Sequence, residues 1–216
     1  MYQYPIFDLD GTVTDSKMGI VRCVNHALKS CGLPEVEQDR DLSWFVGPPL
    51  REGFKELTRT DNDSLVEKLV AKYRERYITI GLYESTLYPG IAELLSDLVK
   101  QRRVLILATT KPTTYARKIL EDFRLDRLFS MVVGSEFDGS RSGKEEIIKS
   151  VIGANSGPTS GYVVIGDRGE DIIGARRNSV DSIGVLYGYG TISEVTSSNP
   201  TFVARTVEEV RAILLS

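Results

Sequence analysis

The stretch Tyr4-Pro5-Ile6-Phe7-Asp8-Leu9-Asp10-Gly11-Thr12 decides the fold. Tyr4 to Phe7 suffice for a short buried strand, and the apolar run stops at once in two aspartates and a glycine. Outward from there the texture changes twice. From Asp15 to about Tyr83 the spacing is helical. Ile20, Val21, Val24, Ala27, Leu28 and Cys31 share a face of one helix that Gly32-Leu33-Pro34 closes, and Leu65, Leu69, Val70 and Tyr73 mark another running towards Gly81. Between them Trp44-Phe45-Val46-Gly47-Pro48-Pro49 reads as a rigid apolar connection. From Tyr88-Pro89-Gly90 onward helices and strands alternate. The reading gives helices at Ile91 to Lys100, Thr113 to Phe123, Lys144 to Ile152, Asp171 to Arg177 and Thr206 to Leu215. It gives strands at Val104 to Ala108, Met131 to Val133, Tyr162 to Ile165 and Ser182 to Leu186. Unbroken apolar strands alternating with helices predict an α/β fold, a doubly wound parallel sheet covered on both faces.

The whole chain agrees with that frame. Its 216 residues are 26% charged and 41% hydrophobic, a balance that excludes disorder, fibrous repeats and a membrane bundle. The net charge of −3 argues against a partner that is nucleic acid or an anionic membrane. The opening residues show no basic segment followed by a long apolar one, so no signal peptide is expected, and the apolar runs fall far short of the roughly 20 residues a spanning helix needs. Cys23 and Cys31, on one helix, lie ~12 Å apart, beyond the reach of a disulfide. Two free thiols suit a cytoplasmic location. One histidine and two cysteines cannot build an ordinary zinc site, so any metal must be held by oxygen.

In doubly wound sheets ligands bind beyond the carboxyl ends of the strands. The polar groups there are Asp8 and Asp10 after the first strand, Thr109, Thr110 and Lys111 after the second, Arg141 and Lys144 beyond the third, and Gly166-Asp167-Arg168-Gly169-Glu170-Asp171 after the fourth. Carboxylates crowded into one crevice raise each other's pKa unless a hard cation sits among them, and Mg²⁺ takes oxygen ligands and commonly a substrate phosphate. A hydroxyl and a lysine facing the same place complete a trap for a phosphate group.

The segment Phe7-Asp8-Leu9-Asp10-Gly11-Thr12-Val13-Thr14-Asp15-Ser16 resembles the first motif of the haloacid-dehalogenase superfamily of phosphohydrolases. Leu107-Ala108-Thr109-Thr110-Lys111-Pro112 resembles its second, and Gly166-Asp167 through Asp171 its fourth. The stretch 15–83 falls where the superfamily inserts a helical cap, leaving 1–14 and 84–216 as the α/β catalytic core, a Rossmann-like arrangement. Gly47-Pro48-Pro49-Leu50, Tyr88-Pro89-Gly90 and Gly184-Val185-Leu186-Tyr187-Gly188-Tyr189-Gly190 are closest to the phosphoglycolate-phosphatase-like branch.

The resemblance implies a Mg²⁺-dependent phosphatase acting on a small phosphorylated metabolite. By it, Asp8 attacks phosphorus to form an aspartyl-phosphate, Asp10 protonates the leaving alcohol and then activates water, Thr109 bonds a phosphoryl oxygen, and Lys144 neutralises Asp8 and the transferring group. The metal would be held by Asp8, the Asp10 backbone carbonyl and Asp167, with Asp171 a further ligand or support. Gly11, Thr110, Arg141 and Arg51 are the substrate-binding candidates. Arg141 competes with Lys144 for the phosphate, because Ser140-Arg141-Ser142-Gly143-Lys144-Glu145-Glu146 lacks the proline that many relatives place after the lysine. Arg51 would sit on a cap loop and meet an anionic leaving group.

Phosphoglycolate is the first substrate expected. A nucleoside 5′-monophosphate, a sugar-phosphate mutase reaction, and a non-catalytic binding protein of the same fold are the alternatives. Asp10 disfavours dehalogenase and phosphonatase chemistry, whose relatives lack an aspartate there. A monomer or homodimer is expected. Plainer readings stand beside these: Asp171 could simply serve the first turn of its helix, His26 borders an apolar helix face, and Trp44 and Phe45 are cap core.

Overall fold

The computed structural model describes residues 1–37, 42–47, 49–136, 141, 143–155 and 157–215. Pro48, in the expected rigid connection, and Ser140 and Ser142, in the third motif, lie outside them. The chain divides into two compact units, Met1–Asp15 with Leu87–Ser216, and Ser16–Thr86. The crossings thus fall one residue after the expected first boundary and three after the second.

In the first unit the strands are β1 (Tyr4–Phe7), β4 (Leu105–Pro112), β5 (Phe129–Ser135), β6 (Tyr162–Gly166), β7 (Asp181–Val185) and β8 (Phe202–Ala204); two-residue strands β2 (Thr14–Asp15) and β3 (Thr86–Leu87) mark the crossings. The six long strands form one sheet in the order β5-β4-β1-β6-β7-β8, and every pairing is parallel. Ile6, Phe7, Leu105 to Leu107 and Tyr162 to Ile165 are all buried, as a sheet covered on both faces requires. The helices of this unit are α4 (Ile91–Lys100), α5 (Thr113–Asp122), α6 (Lys144–Gly153), α7 (Gly169–Arg177), α8 (Ile192–Ser197) and α9 (Val207–Leu215). In α4 the buried residues Ile91, Leu94, Leu95 and Leu98 follow the i, i+3, i+4, i+7 spacing that put a helix there from sequence. The chain runs from β1 outward through β4 and β5, then returns to pair β6 on the other side of β1. Direction reverses at β1, so the loops after β1, β4 and β6 meet at one place.

The second unit holds α1 (Lys17–Ser30), α2 (Leu50–Thr58) and α3 (Asp63–Tyr77). Asn62 caps α3 by accepting the Leu65 N–H at 3.2 Å. Its core is aromatic: Phe45 packs edge-on against Phe54 at 5.3 Å between ring centres, Tyr73 lies 6.1 Å from Phe54, and Trp44 stands edge-on to Phe45. Cys23 is buried, Cys31 half-buried, and neither forms a disulfide. No helix among the described residues is long and apolar enough to cross a membrane.

Besides the two-residue strands β2 and β3 and short 3₁₀ turns, the structure adds two helices and a strand to the sequence reading. Helix α2 buries only Gly53 and Phe54, too few positions to show a period; tertiary contact of Phe54 with Phe45 and Tyr73 holds it. Helix α8 and edge strand β8 are too short and too exposed to stand out from a loop. Strand β4 runs on to Pro112, past the end of its apolar stretch.

Candidate active site

Asp8 is the first residue beyond β1. Its N–H still donates to the Ile165 carbonyl at 2.9 Å, so the sheet ladder fixes its backbone. The chain then turns on itself: the N–H groups of Val13 and Thr14 both reach the Leu9 carbonyl at 2.9 Å. Gly11 sits in this turn at φ +84°, and a Cβ there would stand 2.2 Å from an Asp167 carboxylate oxygen. The turn therefore needs glycine both for its backbone conformation and for the closeness of Asp167.

Lys144, the first residue of α6, is buried. Its Nζ donates to Asp8 Oδ1 at 2.7 Å and to the Ala108 carbonyl at 3.0 Å, and lies 2.7 Å from Asp171 Oδ1. Asp171 stands in the first turn of α7, where its other oxygen accepts the Arg168 N–H at 3.1 Å. Asp171 serves its helix end, as the plainer reading has it, and its second oxygen faces the lysine. Asp167 is fully buried, accepts the Tyr189 N–H at 2.8 Å on Oδ2, and lies 3.3 Å from the Thr12 hydroxyl on Oδ1.

The electrostatics follow from burial. Desolvation pushes the Asp8 carboxyl up to about 6 against the pull of Lys144, with Asp171 and Asp10 adding to the rise. Burial, then the neighbouring Asp8 and Asp171, push Asp167 up to about 8. Lys144 is held above the usual lysine range because Asp171 and Asp8 outweigh its own desolvation. Asp8, Asp167 and Asp171 each offer an oxygen within 4.8 Å of the others. Ionised together, three buried carboxylates would outweigh one buried ammonium, which adds to the rise at Asp8 and Asp167, and all their donors are hard oxygens. This set fits a hard divalent cation.

The other candidates divide. Thr109 is buried at the same strand end and accepts the Lys111 N–H at 3.2 Å. Thr110 offers its carbonyl to the Ser135 hydroxyl at 2.7 Å. Arg141 pairs with Glu136, whereas Lys144 reaches Asp8. Arg51 stands in the first turn of α2, not on a loop, and there pairs with Asp63 at 3.1 Å and with Glu67. His26 lies on α1 with its ring 3.9 Å from the Glu75 carboxylate.

Three residues outside the candidate list belong to the cluster. Thr12 and Tyr189 bond Asp167, and Lys111 pairs with Asp10 at 2.7 Å. All three lie inside quoted stretches, and Thr12 and Lys111 were legible as neighbours of candidate residues. Tyr189 acts through its backbone N–H, which carries no side-chain signature.

The family model for haloacid dehalogenase-like hydrolases matches residues 5–185. Among curated relatives, a 5′-nucleotidase of Pseudomonas aeruginosa is 40% identical over 99% of this chain and 97% of its own length. Tyrosine-protein kinase PtkA of Mycobacterium tuberculosis is 34% identical over 98% of this chain and 72% of its own. A phosphoglycolate phosphatase of Agrobacterium fabrum is 33% identical over 88% and 83%. A solved structure from Clostridium difficile, described as a phosphatase, superposes with a TM-score of 0.92 at 40% identity, covering 99% of this chain and 98% of that one. The strand order, the carboxylate cluster at the reversal point and these relatives agree that the chain belongs to the haloacid dehalogenase-like hydrolases, as a phosphoric monoester hydrolase of the phosphoglycolate-phosphatase-like branch.

Proposed function

We propose that this protein is a Mg²⁺-dependent phosphatase that hydrolyses a small phosphomonoester through an aspartyl-phosphate on Asp8. The observation that carries the reading is Lys144 Nζ, buried 2.7 Å from both Asp8 and Asp171 within a cluster of carboxylates. Mg²⁺, held by Asp8 and Asp167 with Asp171 beside them, would neutralise the phosphoryl oxygens.

The chain's own residues do the rest. The Asp8 carboxylate attacks phosphorus as the bond to the leaving oxygen breaks, and Asp10 hands that oxygen a proton. Thr109 donates a hydrogen bond to a phosphoryl oxygen, and Lys144 balances the charge on Asp8 as it approaches an anion. Asp10 then takes a proton from the water that frees Asp8 and releases phosphate.

The phosphoglycolate phosphatase relatives support phosphoglycolate as substrate. The relative at 40% identity, named a 5′-nucleotidase, favours a nucleoside 5′-monophosphate as the second reading. A turnover screen over phosphorylated metabolites with Mg²⁺ separates the two. Asp8→Asn should abolish phosphate release in that screen while the variant stays folded by circular dichroism; turnover within tenfold of the parent refutes Asp8 as nucleophile.

A further inference from the structure

Strand β4 is irregular where it enters the site. Its pairing with β5 runs Ala108 to Val133 and then Pro112 to Ser135, so Thr109, Thr110 and Lys111 stand opposite the single residue Gly134. Extra residues in a strand re-aim a side chain, and they recur next to active sites. Here the distortion is held from several sides. A Cβ on Gly134 would meet the Lys111 carbonyl at 2.3 Å, so only glycine lets the two backbones close. The Gly134 N–H bonds the Thr113 hydroxyl at 3.0 Å, the Ser135 hydroxyl donates to the Thr110 carbonyl at 2.7 Å, and the Lys111 N–H donates to the Thr109 hydroxyl oxygen at 3.2 Å.

The result is that Lys111, three residues past the buried strand core, turns its ammonium into the site. It is 2.7 Å from Asp10 Oδ2, with side chains 8% and 16% exposed. The other oxygen, Asp10 Oδ1, is buried without a hydrogen-bond partner. One end of the carboxylate is clamped and the other is left bare.

We propose that Lys111 is a positioning residue that aims Asp10 at the leaving group, an inference that rests on the phosphatase reading above. With Oδ2 fixed on the ammonium, Oδ1 carries the proton that passes to the leaving oxygen as the phosphorus–oxygen bond breaks. Oδ1 later accepts a proton from the water whose oxygen displaces Asp8 from phosphorus.

This assignment makes a chemical demand that a merely structural role does not. An alkyl alcohol is a poor leaving group and needs the proton; p-nitrophenolate leaves without one. In Lys111→Met, kcat/KM for an alkyl phosphate should fall by about tenfold to a hundredfold, up to the lower end of the roughly 10²–10⁴-fold that general acid catalysis supplies, because the misaimed Asp10 is still present. For p-nitrophenyl phosphate kcat/KM should change by less than about threefold, whereas kcat should fall, because freeing Asp8 still needs Asp10 as base. Lys111→Arg, which keeps the charge, should recover most of the loss. Equal losses in kcat/KM on both substrates, or no loss on the alkyl phosphate with the variant folded, overturn the proposal. If the parent releases phosphate from neither substrate, the phosphatase reading fails and this inference falls with it.

Discussion

Replacing Asp167 by asparagine should stabilise the metal-free protein, and the gain should grow with pH. Asp167 is fully buried, and its carboxyl is pushed up to about 8 from an ordinary 3.8. At pH 7 the unfolded chain has this group ionised while the folded chain holds a proton on it. Across the interval from 3.8 to 7, at roughly 1.36 kcal/mol per pH unit, that difference costs the folded state about 4 kcal/mol. Relaxation of the cluster lowers this, so about 2–4 kcal/mol is expected. The sign follows from the raised value: the penalty is absent below pH 3.8, grows as pH rises, and levels off near pH 8. At pH 5 it is less than half of its value at pH 7.

The amide suits the site. Its oxygen can accept the Tyr189 N–H, and its NH₂ can donate to the Thr12 hydroxyl, which serves equally as acceptor. At roughly 2–4 °C per kcal/mol for a chain of this size, Asp167→Asn should raise Tm by about 4–16 °C at pH 7 in EDTA, and less at pH 5. If Asp167 holds Mg²⁺ as proposed, saturating Mg²⁺ should raise the parent's Tm more than the variant's, because the variant lacks that charged ligand. A lower Tm for Asp167→Asn in EDTA at pH 7, or the same gain at pH 5 and pH 7, refutes the claim that buried negative charge strains this site.

Two other substitutions test the same cluster from different sides. Lys144→Met removes the ammonium between Asp8 and Asp171 and leaves two buried carboxylates facing each other; stability at pH 7, read from urea unfolding, should fall by about 3–5 kcal/mol. Gly11→Ala places a methyl group against the Asp167 carboxylate and forces a positive φ on alanine. It should cost about 1–3 kcal/mol and raise the Mg²⁺ concentration needed for half-maximal stabilisation, measured by Tm against added metal.

What the sequence determined by itself is the frame and the chemistry of the strand ends. Continuous apolar runs at Tyr4 to Phe7, Val104 to Ala108 and Tyr162 to Ile165, alternating with helical stretches, read as strands buried on both faces, and that pattern is local information. The same local pattern singles out Asp8, Asp10, Thr109 and Asp167, each within three residues of the end of such a run. Tertiary structure decided what local pattern cannot carry. Helix α2 exists because Phe54 finds Phe45 and Tyr73, residues up to 19 positions away. In sequence Lys144, which opens a helix, is preferred over Arg141 three residues before it, but local pattern does not exclude either; the fold buries Lys144 between Asp8 and Asp171 and leaves Arg141 with Glu136. Lys111 reaches Asp10 only because an irregularity in β4 is matched by a glycine on β5. That pairing joins residues more than 20 positions apart, and its meaning resides in the register between strands.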